Sequence, residues 1–199
     1  MSLKTPHGPA RAHLHPAESP IGALVLGHGA GGGVTAPDLA GVTKAAVARG
    51  ISVALVEQPY RVAGRRSPAP AAQLDAAWVA VVQQLAAGPL AGLPLACGGR
   101  SSGARVACRT AAETGAAAVL CLAFPVHPPG RPEKSRLDEL DGVGVPVLVV
   151  QGASDPFGMP PKRRGRRLLV VEGDHSLRKG VAAYAEAAAD WLAGRLGSR

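Results

Sequence analysis

Six short stretches of the chain are apolar almost without interruption: IGALVLG (21–27), ISVALVE (51–57), LPLACGG (93–99), AAVLCLAF (117–124), PVLVVQG (146–152) and RLLVVEG (167–173). A strand with one wet face alternates apolar and polar residues. A run that is apolar throughout has both faces covered, as in a parallel sheet sandwiched between helices. Between the runs the period changes. Residues 71–87 put Leu74, Trp78, Val81, Val82 and Leu85 on one helical face, and residues 178–195 do the same with Val181, Tyr184, Ala185, Ala188, Trp191 and Leu192. The stretch 37–50 opens with Pro37 and Asp38 and closes with Gly50, a helix start and stop. Strand and helix in alternation predict an α/β fold: three layers, a mainly parallel sheet with helices on both faces. Residues 1–10, with their Pro, Gly and His, read as a flexible tail before a single domain over 11–199.

In such sheets, sites form where strands end. The run at 93–99 passes into Gly99-Arg100-Ser101-Ser102-Gly103 and then a helical stretch. This is G-x-S-x-G in a strand–turn–helix setting: the bend strains the backbone at the serine, and the flanking glycines leave it room. Ser101 is the candidate nucleophile; Ser102 lacks the glycine frame. A serine hydroxyl needs a base. Asp155 follows the run at 146–152, 54 residues after Ser101, and His175 follows the run at 167–173, 20 residues later. Serine, acid and histidine in that order, each just past a strand, make a triad in which His175 takes the Ser101 proton and Asp155 orients the imidazole. Asp174 is the competing acid, but a sequence neighbour usually points away from the ring it precedes.

The run at 21–27 ends in LGHGAGGG (26–33). For acyl transfer, this segment would offer a backbone N–H to the oxyanion, from Ala30 first and Gly31 second, with the N–H of Ser102 as the other donor. His28 and Gly31 would line the pocket. A rival reading exists: Gly27-x-Gly29-x-x-Gly32 spells the dinucleotide fingerprint, and Glu57 ends the next run where a ribose-binding acid would sit. Against it, Gly33 and Pro37 lengthen the loop before the helix. No Lys-Ser/Thr follows the glycines, which excludes a phosphate-binding P-loop.

Composition narrows the classes. The chain has 199 residues and a net charge of +8, but only six aromatic side chains to stack on bases. No specific nucleic-acid binding is expected, and the dense basic segment PKRRGRR (161–167) reads as a surface loop near the rim of the site. Cys97, Cys108 and Cys121 are odd in number, lack metal-ligand spacing and lie on apolar segments, as buried thiols in a reducing cytoplasm would. No apolar run approaches membrane-spanning length, and the first residues lack the apolar core of a secretory signal. No metal, organic cofactor or membrane association is expected; the oligomeric state is left open.

Taken together, HGAGGG, GGRSSGARVA, FPVHPPGRPEKSRLDEL, PVLVVQGASDPFG and GDHSL resemble the α/β-hydrolase superfamily from about residue 21 onward. The resemblance is to its dienelactone-hydrolase-like branch, of the testis-expressed-protein-thirty type. It implies a hydrolase fold with Ser101, Asp155 and His175 on the triad positions. The branch also includes a relative that serves in a chromatin-modifying complex, so a binding module without turnover is the alternative. His127, just past a strand and among prolines, reads as a pocket wall. Arg100 either binds a substrate carboxylate or ties down a neighbouring loop. Only 23 residues lead from Phe124 to Val147, too few for a lid domain, which favours small acyl substrates at an open site.

Overall fold

The structure is a computed structural model and describes residues 1–197. Eight strands form one sheet in the order β1-β2-β4-β3-β5-β6-β7-β8. They are β1 (Ser2–Leu3), β2 (Ala10–His15), β3 (Gly22–Gly27), β4 (Ile51–Glu57), β5 (Leu95–Arg100), β6 (Ala118–Leu122), β7 (Val147–Gly152) and β8 (Arg166–Val171). From β4 to β8 all pairings are parallel; β1 and β2 run antiparallel at one edge. The helices are α1 (Pro37–Ala48), α2 (Pro59–Val62), α3 (Ala71–Ala87), α4 (Ser102–Arg109), α5 (Leu137–Asp141) and α6 (Val181–Leu196).

Five of the six uninterrupted apolar runs bury both faces, as expected; the run at 167–173 forms the edge strand β8, where Val170 is exposed and Leu168 and Leu169 are only partly buried. Ala23 and Val25 of β3 join one core with Leu74, Trp78 and Val81 of α3, Val106 of α4 and Leu140 of α5. Leu24 and Leu26 join the other, with Leu39 and Val42 of α1 and Tyr184, Ala188 and Leu192 of α6. The fold is therefore the expected three-layer α/β architecture with a mainly parallel sheet. Between β6 and β7 the chain forms only α5 and loops, so no lid domain covers the strand ends.

Two expectations are corrected. Residues 1–10 are not a loose tail in this structure. Ser2 and Leu3 pair with Arg11 and Ala10, the terminal ammonium donates to the Ala12 carbonyl at 2.7 Å, and Leu3 is buried. Two residues are too few to show a period, and Leu3 becomes informative only when the sheet edge is there to cover it. The basic segment 161–167 is also not at the rim of the site. Arg166 pairs with Val147 at the start of β7, the opposite end of the sheet from Ser101. The chain must return to that end before a parallel β8 can begin. There Arg166 is buried and pairs with Asp141, which Arg163 also contacts at 2.6 Å.

Candidate active site

β5 runs straight into α4 through Ser101, whose backbone sits at φ +52°, ψ −106°. That is unfavourable for a residue with a side chain, and it persists because both sides are held. The Ser101 N–H donates to the Leu122 carbonyl at 2.9 Å, and its own carbonyl accepts from Arg105 at 3.2 Å. The glycines of the motif serve close approach. A Cβ at Gly99 would lie 2.6 Å from the Gly27 carbonyl oxygen, and one at Gly103 would lie 2.5 Å from the same atom. The end of β3 is thus pressed against the turn, which brings the Gly-rich segment beside Ser101. A Cβ at Gly29 would be 3.7 Å from that of Ser101.

The His175 ring lies between the two other predicted residues. Nε2 is 2.9 Å from Ser101 Oγ, and Nδ1 is 2.8 Å from Asp155 Oδ2. A carboxylate oxygen only accepts, so Nδ1 carries the proton, and Nε2 is left to accept from the serine hydroxyl. The Asp155 side chain is fully buried. Its Oδ1 accepts from the Phe157 N–H at 2.9 Å, and its Oδ2 also accepts from Gln151 Nε2 at 2.9 Å. Asp174, by contrast, is exposed and turned to its own loop, where it accepts from the Ser176 N–H and hydroxyl. Those bonds hold its carboxyl below the usual carboxylate range.

The Gly-rich segment is braced from behind. His28 is buried and linked at 2.8 Å to the Gly29 carbonyl through Nδ1, while Nε2 accepts the Gln58 N–H at 3.2 Å. The backbone donor at Nε2 requires the proton on Nδ1. Burial pushes this imidazole below its ordinary value of 6.5. His28 is thus an internal brace, not the expected pocket surface. Tyr60 donates to the Ala30 carbonyl at 2.9 Å and fixes that peptide. The Ala30 N–H has no protein acceptor among the described residues, and the Ser102 N–H opens α4, where no intrahelical acceptor exists. Gly31 is exposed in the same loop, with no atom of the described residues within 4 Å of a Cβ built there.

A lowered histidine pKa in the folded state makes stability depend on pH. The unfolded chain takes up the His28 proton more readily, so the contribution is complete above the unfolded value and lost as pH falls towards the folded one. The expected result is a stability loss in urea titrations between pH 8 and pH 5 that is smaller in His28→Gln than in the wild type. Equal losses in the two proteins count against the brace.

Arg100 does not face outward to a substrate carboxylate. It ties down neighbouring elements: Nε is 2.8 Å from Asp38 Oδ2 of α1, and Nη2 donates to the His175 carbonyl at 3.0 Å. His127 is not within bonding range of the three central residues. Its Nδ1 pairs with the Pro128 carbonyl, its N–H donates to Phe157, and a Cβ at Gly158 would lie 3.1 Å from its ring. It supports the loop that carries Asp155. Three contributors escaped the sequence reading: Gln151, Tyr60 and Phe157, whose ring meets the His175 ring edge-on at 4.3 Å. Gln151 left a signal, a polar residue in an otherwise apolar run; Phe157 and Tyr60 left none that distinguishes them from core aromatics.

The fingerprint reading of the Gly-rich segment loses its partners. Gly32 is followed by four further residues before α1 begins at Pro37, so the glycines do not open a helix. The Glu57 carboxylate is engaged by His13 at 3.0 Å and Arg11 at 3.5 Å. Among the described residues there is no group of three or more His, Cys, Asp and Glu placed to hold a metal, and no helix long and apolar enough to cross a membrane.

Solved structures share the architecture over nearly their whole length. An α/β serine hydrolase without lid from Xanthomonas campestris, XC6422, superposes with a TM-score of 0.79 at 20% identity, covering 98% of this chain and 93% of that one. A dienelactone hydrolase from Anabaena variabilis gives 0.78 at 18%, covering 98% and 96%. Est1E from Butyrivibrio proteoclasticus, solved with ferulic acid, gives 0.81 at 15%, with all of both chains covered. No curated protein matches the sequence. A family model described as an alpha/beta hydrolase domain matches residues 20–191, nearly the whole chain, and on that match the protein belongs to the α/β-hydrolase family.

Proposed function

We propose that the protein is a serine hydrolase that cleaves small carboxylic esters or related acyl bonds. The observation that carries this reading is the His175 ring, within hydrogen-bond reach of Ser101 Oγ on one side and Asp155 Oδ2 on the other. Ser101 Oγ attacks the acyl carbonyl while His175 Nε2 takes its proton, and the N–H groups of Ala30 and Ser102 receive the oxyanion. The tetrahedral intermediate collapses, and His175 returns the proton to the leaving alcohol or thiol. Water then gives a proton to His175 Nε2 as its oxygen attacks the acyl carbon; the bond to Ser101 Oγ breaks, His175 returns the proton to that oxygen, and the acid leaves. The uncovered strand ends favour compact acyl groups over long lipid chains. The dienelactone hydrolase among the structural neighbours supports an ester as the first substrate to try, since a lactone is a cyclic ester.

The test is turnover of a panel of short acyl esters and thioesters by the wild type and Ser101→Ala. Hydrolysis of at least one member that vanishes in the variant is expected; a folded wild type that turns over none and resists a fluorophosphonate probe overturns the reading in favour of a binding module. The choice of acid has its own test. Asp155→Asn is expected to lower kcat by roughly 10⁴-fold, because an amide at that position favours the wrong imidazole tautomer. Asp174→Asn is expected to stay within threefold of the wild type, and the reverse ranking would reassign the acid.

A further inference from the structure

The residue before the proposed nucleophile does more than fill the elbow. Asp38 lies in the first turn of α1 with no exposed side-chain surface. Its Oδ1 accepts the Leu39 N–H at 2.9 Å, and Arg100 is its one cationic partner among the described residues. Burial pushes the Asp38 carboxyl up, and the Arg100 charge is the largest influence holding it down. A buried carboxylate on a packed helix is a fixed point, and a planar guanidinium bound to a fixed point has a defined direction. Arg100 Nη2 then meets the His175 carbonyl at 3.0 Å, while a Cβ at Gly29 would lie 3.0 Å from Nη1. One side chain therefore joins the end of β5, the start of α1, the Gly-rich loop and the loop that carries His175.

The far side of that last loop is already held. Leu177 is fully buried and its carbonyl accepts from Tyr184 at 2.8 Å. At His175 itself the Arg100 bond is the only hydrogen bond to the backbone carbonyl among the described residues.

We propose that Arg100 is a positioning residue for His175: anchored on the Asp38 carboxylate, its guanidinium holds the His175 carbonyl and thereby sets the imidazole between Ser101 and Asp155. The effect on turnover rests on the serine-hydrolase reading; the effect on the imidazole does not. Lysine cannot substitute, because a single ammonium can neutralise Asp38 but does not present the guanidinium's divergent donors to the carboxylate and the carbonyl together.

Removing Arg100 alone would strand a buried charge, so the decisive variant removes both partners, Arg100→Met with Asp38→Leu, which keeps the site apolar and filled. Arg100→Lys is the companion that retains the charge. In both, kcat on a small ester is expected to fall about 10- to 100-fold with KM within twofold, the signature of a misplaced catalytic group. The melting temperature of the double variant is expected near that of the wild type. The second readout is the downfield proton resonance of His175 Nδ1–H, identified by its absence from His175→Ala; it is expected to broaden or disappear in the double variant. A folded double variant that keeps this resonance unchanged, or keeps kcat within twofold of an active wild type, overturns the proposal. If the wild type turns over no ester, the hydrolase reading fails separately and the resonance alone decides.

Discussion

Ser101→Ala and His175→Ala are each expected to abolish ester hydrolysis, with a fall in kcat on the order of 10⁶-fold, since members of such a unit act together and losing one costs nearly as much as losing all. Both positions are partly exposed and each makes its key contact through a side chain, so the variants should fold with unchanged melting temperature. A fluorophosphonate probe supplies a readout independent of substrate choice. It is expected to label one serine, Ser101, in the wild type and to label neither variant. The double variant should be no slower than either single one. Additive losses would mean that Ser101 and His175 serve separate roles, and labelling of Ser102 in the Ser101→Ala protein would mean that the glycine frame had chosen the wrong hydroxyl.

A large effect on stability is expected at Gly103, which touches no substrate in the proposed mechanism. A Cβ there would stand 2.5 Å from the Gly27 carbonyl oxygen, 2.6 Å from its carbon and 2.9 Å from the His28 carbonyl oxygen. All three are backbone atoms of β3 and the loop that follows it, so no side chain can swing away. Either β3 moves off the elbow or the elbow opens, and Gly103→Ala is expected to cost at least ~3 kcal/mol, the upper part of the range for overpacking. Because β3 leads into the Gly-rich loop, any molecules that remain folded should also lose activity. Gly194→Ala is the opposite case: the position is exposed in α6, no atom of the described residues outside the helix's own backbone lies within 4 Å of the added carbon, and the change should stabilise by about 0.5–1 kcal/mol through helix propensity. Urea denaturation of the two variants checks both signs, and equal midpoints would refute the packing argument.

How much of this was readable in advance differs by element. The interior strands of the parallel sheet were visible because burial on both faces makes each an uninterrupted apolar run, and the helices α1, α3 and α6 because burial of one face or capping residues mark them in the sequence. β1 and β2 were not: β1 has two residues, too few for a period, and although Ala10–His15 alternates apolar and polar residues, it is a single short stretch that continues from a segment rich in Pro, Gly and His. The short helices α2 and α5 span four and five residues, less than two turns, and cannot show a helical period.

For the candidate site, the sequence alone determined which residues stand at strand ends: Ser101 in its glycine frame, Asp155 and His175 in order after it, and a glycine-rich loop after the first strong strand. Local chemistry suffices for that, because turn geometry and strand ends depend on near neighbours. Only the tertiary structure decided what each one touches. It separated Asp155 from Asp174, which differ in sequence by little but face different neighbours. It turned Arg100 from a candidate substrate ligand into a tie between Asp38 and the His175 carbonyl, and it moved the basic segment to the far end of the sheet. Those outcomes depend on residues brought together across 62 and 75 positions of chain, as with Asp38 and Arg100 or Arg100 and His175, and no local pattern records a contact whose partner is chosen by the packing of the whole sheet.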